Sequence, residues 1–190
     1  MEALTLDCQS IELNDEQFYQ LCRNNPDLRF ERNTDGDLLI MSPTGGETGN
    51  RNIEIAYQLQ AWSRQNKLGK AFDSSTGFKL PNGANRSPDA SWITIAKWNS
   101  LTDEQKQKFL PLCPDFAIEL LSPSDKLSKT QAKMQEYLDN GMQLGWLINP
   151  QSQQVEIYRQ GKQVETQDRP DSLLAESILP KFNLDLQFVW

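Results

Sequence analysis

Histidine is absent from the 190 residues. With it go the mechanisms that need imidazole: Ser-His-Asp hydrolysis, Cys-His proteolysis and histidine-ligated zinc. Any catalysis must run on carboxylates, lysine, hydroxyls or a bound ion. Cysteine is scarce. Cys8, Cys22 and Cys113 lie far apart and are odd in number, which argues for reduced thiols in a cytoplasm and against a zinc site. No stretch approaches the ~20 apolar residues of a membrane span. No basic region followed by an apolar one opens the chain, so no signal peptide is expected. Positive charge is not in excess either. The formal net charge is −7, which removes long-range attraction to nucleic acid but leaves room for a local basic patch. A Walker A loop, a GxGxxG after a strand and a repeat of fixed period are all missing.

What is present reads as alternating helices and strands. Asn14 followed by Asp15-Glu16-Gln17 predicts a capped helix to about Asn24. Leu28 to Met41, turning at Thr34-Asp35-Gly36-Asp37, predicts a hairpin. Gly45 to Gly49 reads as a loop. A helix from about Arg51 to Asn66 follows, with Ile55, Leu59 and Trp62 on its apolar face and Gly69 closing it. Two strands, about Lys70 to Leu80 and Arg86 to Ile95, are joined by Pro81-Asn82-Gly83. Thr102 caps a polar surface helix from Leu101 to Phe109. A helix from about Lys129 to Asn140 ends at Gly141. Leu144 to Ile148 and Gln154 to Tyr158 read as strands. Alternating Leu184, Leu186, Phe188 and Trp190 tie down the C-terminus. The order predicts a mixed α/β (α+β) fold, with residues 1–190 as one domain.

Glu119 stands out. It sits in the apolar run Phe116-Ala117-Ile118-Glu119-Leu120-Leu121, between Pro114 and Pro123, which predicts a buried strand. A carboxylate there costs several kcal/mol unless a cation, a base or a raised pKa neutralises it. An edge strand with Glu119 facing water is the bland alternative. Asp115 shares its face but lies about 13 Å away at ~3.3 Å per residue, too far to share one ion. A second ligand must come from another strand, and Asp89 in Ser87-Pro88-Asp89-Ala90-Ser91-Trp92 opens one that precedes it. Alone, Asp89 equally suits a turn or cap after Pro88. Two carboxylates about 4 Å apart repel by roughly 4 kcal/mol at an effective dielectric of 20, a penalty that a divalent cation reverses. Lys133 borders the Thr130, Met134, Tyr137 and Leu138 stripe of its helix. Its ammonium either snorkels to water or points at the carboxylates.

These segments occur in one order: Met41-Ser42-Pro43-Thr44-Gly45, Ser87 to Trp92, Pro114 to Ser124, then Lys133, Tyr137, Asn140-Gly141 and Trp146 to Pro150. As a set they resemble the Uma-two family of restriction-endonuclease-like proteins, in the PD-(D/E)XK nuclease superfamily, from about Asn14 to Trp190. The resemblance implies a restriction-endonuclease-like core of helix, three antiparallel strands, helix and strand. It implies a Mg²⁺ (or Mn²⁺) phosphodiesterase site in which Asp89 and Glu119 hold the metal, with the backbone carbonyl of Leu120 as a further ligand. The lysine expected two residues after Glu119 is replaced by Leu121, and Lys133 on the following helix is the position to which its role carries over. A carboxylate from the helix before the strands would be Glu47 or Glu54. The histidine that many relatives carry near Gly46 to Asn50 is missing here. An endonuclease acting on nucleic acid, with DNA the expected kind, as a homodimer is the implied function. A nuclease-fold binding or regulatory module is the rival, and a carbohydrate hydrolase using Asp89 and Glu119 is a distant third.

Overall fold

The structure, a computed structural model, describes residues 4–190 except 9, 12, 176 and 177. Strand β1 (Leu4–Leu6) precedes helix α1 (Asp15–Asn24). Asn14 accepts from the Gln17 N–H at 2.9 Å while Gln17 returns a bond to the Asn14 N–H, a reciprocal cap that fixes the helix start. Strands β2 (Arg29–Arg32) and β3 (Leu38–Met41) form the expected hairpin, turning at Gly36 with φ +90°. Helix α2 spans Gly46–Asn66 and so begins five residues before the predicted start. Gly45 to Gly49 is mostly helix, because Thr48 buries its side chain and outweighs the poor propensity of the glycines. Lys67, at φ 58°, takes the left-handed closing position rather than Gly69. Gly69 instead opens β4 (Gly69–Asp73).

The two strands predicted for 70–80 and 86–95 are four. Strand β5 (Phe78–Lys79) and strand β6 (Asn85–Arg86) pair across Pro81-Asn82-Gly83, and β7 (Ala90–Thr94) follows. Asp73 ends β4 by accepting from the Ser75 N–H at 3.1 Å and the Ser75 hydroxyl at 2.6 Å. Pro88, which has no N–H for a ladder, separates β6 from β7. Thr94 then caps α3 (Ile95–Ser100). The predicted 101–109 helix shrinks to α4 (Asp103–Lys106), capped by Thr102 as expected. Strand β8 (Phe116–Leu120), helix α5 (Leu127–Asp139), β9 (Leu144–Asn149) and β10 (Gln154–Arg159) match their predicted places closely. Strand β11 (Glu165–Asp168), β12 (Ser172–Leu174) and β13 (Asn183–Asp185) complete the chain. Only a short piece of the C-terminal alternation is strand, and Phe188 is exposed while Leu184, Leu186 and Val189 are buried.

The central sheet runs β11-β10-β9-β8-β7-β4, antiparallel except for the β8–β9 pair. A second sheet runs β1-β3-β2-β6-β5. Helix α2 covers one face of the central sheet, packing Ile55, Leu59 and Trp62 against Trp92, Phe116, Ile118 and Trp146. Helix α5 covers the other, packing Met134, Tyr137 and Leu138 against Ile93, Ala117 and Leu147. The sequence α2-β4-β7-β8-α5-β9 is the helix, three antiparallel strands, helix and strand that the resemblance implies. Trp92, Phe116 and Trp146 are fully buried, and burial of the Phe116 side chain alone contributes about 1.5–3 kcal/mol. That rigid slab sets the positions of the polar groups at its edge.

Candidate active site

Strand β8 is flanked on both sides, so Glu119 is no edge residue, and it is 6% exposed. The register Ala90↔Ile118 and Ser91↔Ala117, carried one step further, sets Asp89 directly opposite Glu119. Both side chains then stand on the α5 face, by the strand period of two. Asp89 accepts from the Leu120 N–H at 2.8 Å, which ties it to the residue beside its acidic neighbour. Its other oxygen accepts from Asn52 Nδ2 at 3.3 Å, from α2.

Lys133 reaches the same place. Its Nζ lies 3.0 Å from Glu119 Oε1 and 2.8 Å from Glu31 Oε1. Tyr137, one turn on, donates its hydroxyl to Glu119 Oε1 at 2.9 Å. Glu31 comes from β2 and is buried. It accepts from the Ser87 N–H at 2.9 Å and pairs with Arg86 Nη1 at 3.2 Å, while Arg86 Nε reaches Glu136 Oε2 at 2.5 Å. A chain of alternating charge thus runs from half-buried Glu136 through Arg86, Glu31 and Lys133 to buried Glu119.

Burial pushes the Glu119 carboxyl up to about 7; the charges of Asp89 and Glu31 add to this and Lys133 offsets only part. Burial likewise raises Asp89, against the Leu120 N–H and Lys133. For Glu31 burial acts the same way, but Lys133 and Arg86 outweigh it and hold its carboxyl below the ordinary range. Burial works against the charged form of Lys133, yet Glu119 and Glu31 hold it firmly protonated. Glu31 and Lys133 therefore balance each other, whereas Asp89 and Glu119 remain a pair short of positive charge.

All three residues singled out in the sequence, Asp89, Glu119 and Lys133, come together. Neither helix carboxylate joins them: Glu47 is exposed and pairs with Arg51, and Glu54 takes a hydrogen bond from Gln58 at 3.0 Å. Helix α2 contributes Asn52 instead. Asp115 is occupied elsewhere, by Lys97 at 2.8 Å and the Thr94 N–H at 2.8 Å. Glu31, Asn52 and Tyr137 escaped the sequence reading. Tyr137 carried a signal, since a buried tyrosine hydroxyl needs a partner. Glu31 carried none, because Arg29-Phe30-Glu31-Arg32 shows no alternation that separates an inner from an outer face.

Among the described residues no three His, Cys, Asp or Glu side chains form a ready cation cage. Two adjacent carboxylates and the buried, unpartnered Asn52 Oδ1 nonetheless make a set rich in oxygen acceptors. That set suits a hard divalent cation that also keeps water or substrate oxygens in its shell.

The fold is known. A crystal structure described as "a putative nuclease belonging to DUF820", from Anabaena variabilis, superposes with a TM-score of 0.71, covering 84% of this chain and 88% of that one at 21% identity. No curated protein matches. The family model described as "Putative restriction endonuclease" matches residues 15–187. That span covers almost the entire sequence, and the chain belongs to the Uma2 family.

Proposed function

We propose that the protein is a metal-dependent endonuclease that hydrolyses phosphodiester bonds of nucleic acid. The observation that carries this reading is the meeting of Asp89, Glu119 and Lys133 at the rim of the central sheet, with the ammonium 3.0 Å from Glu119. Asp89, Glu119 and the Leu120 carbonyl would hold Mg²⁺ or Mn²⁺. Such an ion polarises a phosphate and lowers the pKa of a bound water. DNA as the substrate rests on the family likeness, and a cytoplasmic setting on the three widely spaced cysteines.

The chain's own groups supply the rest. Tyr137 and Lys133 fix one oxygen of Glu119 and leave the other to face the reaction. Asn52 and the Leu120 N–H fix Asp89. Lys133 carries a permanent positive charge beside the carboxylates, where it stabilises negative charge developing on a phosphate. Glu31 keeps that ammonium in place.

The experiment is cleavage of supercoiled plasmid and of single strands with Mg²⁺ or Mn²⁺, beside Glu119→Ala and Lys133→Ala. Cleavage by the wild type and its loss, by a factor of a hundred or more, in both variants is the expected outcome, on the order of what a positioned electrostatic group contributes. A wild type inert with either ion, or variants that cleave as well as it does, would leave a nuclease-fold binding module.

A further inference from the structure

Three buried polar side-chain atoms lack a hydrogen-bond partner among the described residues: Asn52 Oδ1, Ser91 Oγ and Trp146 Nε1. Ser91 and Trp146 are wholly enclosed, whereas Asn52 is only half-buried, so an ion entering from outside can reach it. A buried acceptor without a donor is destabilising unless something positive faces it. This one stands beside the acidic pair. The other end of the same amide, Nδ2, donates to Asp89 Oδ1 at 3.3 Å. By its bond lengths Oδ1 is less than ~2.6 Å from Nδ2. A modest turn of the amide therefore sets Asn52 and Asp89 on one ion, at the ~2.0–2.1 Å that Mg²⁺ requires.

We propose that Asn52 is itself a ligand of the divalent cation, supplied by helix α2 as a neutral amide oxygen. The inference rests on the cation reading of Asp89 and Glu119 and adds a residue to that shell. Helical spacing supports it. Asn52, Ile55 and Leu59 fall at i, i+3 and i+7, and the last two are fully buried against the central sheet. Asn52 is thus the polar end of the stripe that faces the sheet. Glu54 lies about 200° round the helix from it, which explains why that carboxylate stays away. Neutrality has a chemical consequence. As carboxylates, Asp89 and Glu119 already match the two charges of the ion. A third acid would tighten its hold but weaken its pull on a phosphate, whereas an amide fills the shell and leaves that pull intact.

The test is titration of the full chain with Mn²⁺ alone, no nucleic acid being present. Mn²⁺ is paramagnetic, so water-proton relaxation reports both its binding and the number of waters it keeps. Asn52→Ala should bind Mn²⁺ about tenfold or more weakly, since affinity follows ligand number and charge. Its ion should also carry one more water than in the wild type. Asn52→Asp should bind more tightly than the wild type, with the wild-type number of waters. A residue that merely steadied Asp89 would weaken binding when lost but would add no water. Circular dichroism checks that each variant folds. If Asn52→Ala does not, Asn52→Asp decides alone: loss of a water there means that the wild-type amide was outside the shell. Equal hydration in wild type and Asn52→Ala likewise overturns the proposal, and leaves the cation reading standing. That reading has its own control. A wild type that binds no Mn²⁺, or Asp89→Asn binding it as well as the wild type does, removes the site and this proposal with it.

Discussion

Glu119 is held where its ionisation is opposed on three sides. Its folded pKa of about 7 lies above the ordinary 4.5, so the folded chain keeps a proton that the unfolded chain releases between those values. This contribution to stability is complete below about pH 4.5 and is lost as pH rises through about 7. At 1.36 kcal/mol per unit it amounts to as much as about 3 kcal/mol. Glu31 acts in the opposite sense. Its depressed pKa stabilises the fold above 4.5, and that gain disappears as pH falls through the folded value. The urea midpoint should therefore decline between about pH 5 and pH 7.5, and Glu119→Gln should flatten the decline. A midpoint that rises across this interval in the wild type would show Glu119 already ionised in the native protein. Glu119 was legible in the sequence because one acid in an apolar run breaks a strong pattern. Glu31 was not, because its burial is set by residues distant in sequence: Ser87, Arg86 and Lys133.

Strands β4 and β7 meet unusually closely at Gly69. A Cβ there would lie 2.0 Å from the Ile93 carbonyl oxygen and 2.3 Å from the Trp92 ring. Gly69→Ala should cost about 1–3 kcal/mol by overpacking, read as a lowered denaturant midpoint with altered tryptophan fluorescence. No change in either would mean that the β4–β7 contact relaxes freely. This glycine shows why some elements were readable and others were not. As a helix terminator Gly69 fits the local rules, but the packing of Trp92 gives it a different task. Strand β8 and helix α5 were readable because their periodicity is set by the core they build. The division of 70–95 into four strands depends on the second sheet capturing β5 and β6, a long-range event that no short window contains. Periodicity set Lys133 only at the border of its helix's apolar stripe, and its role came from the family resemblance, because the partners that hold it, Glu31 and Glu119, lie on distant strands.

Across the whole molecule, a net charge of −7 opposes any polyanion at a distance. If nucleic acid is the substrate, the association rate with a labelled duplex should rise as salt increases from low to physiological strength, because screening relieves the repulsion. A stopped-flow rate that falls steeply with salt would reveal a strong local cationic surface. The same scale gives the cross-strand alignment a wider meaning. Asp89 faces Glu119 only while β7 and β8 keep their native stagger; a slip of one residue turns Asp89 to the far side of the sheet. Partly folded or misassembled chains therefore cannot bring the acidic pair together. If the chain is the endonuclease proposed above, it stays silent until assembly is finished, with strand alignment serving as its safety catch.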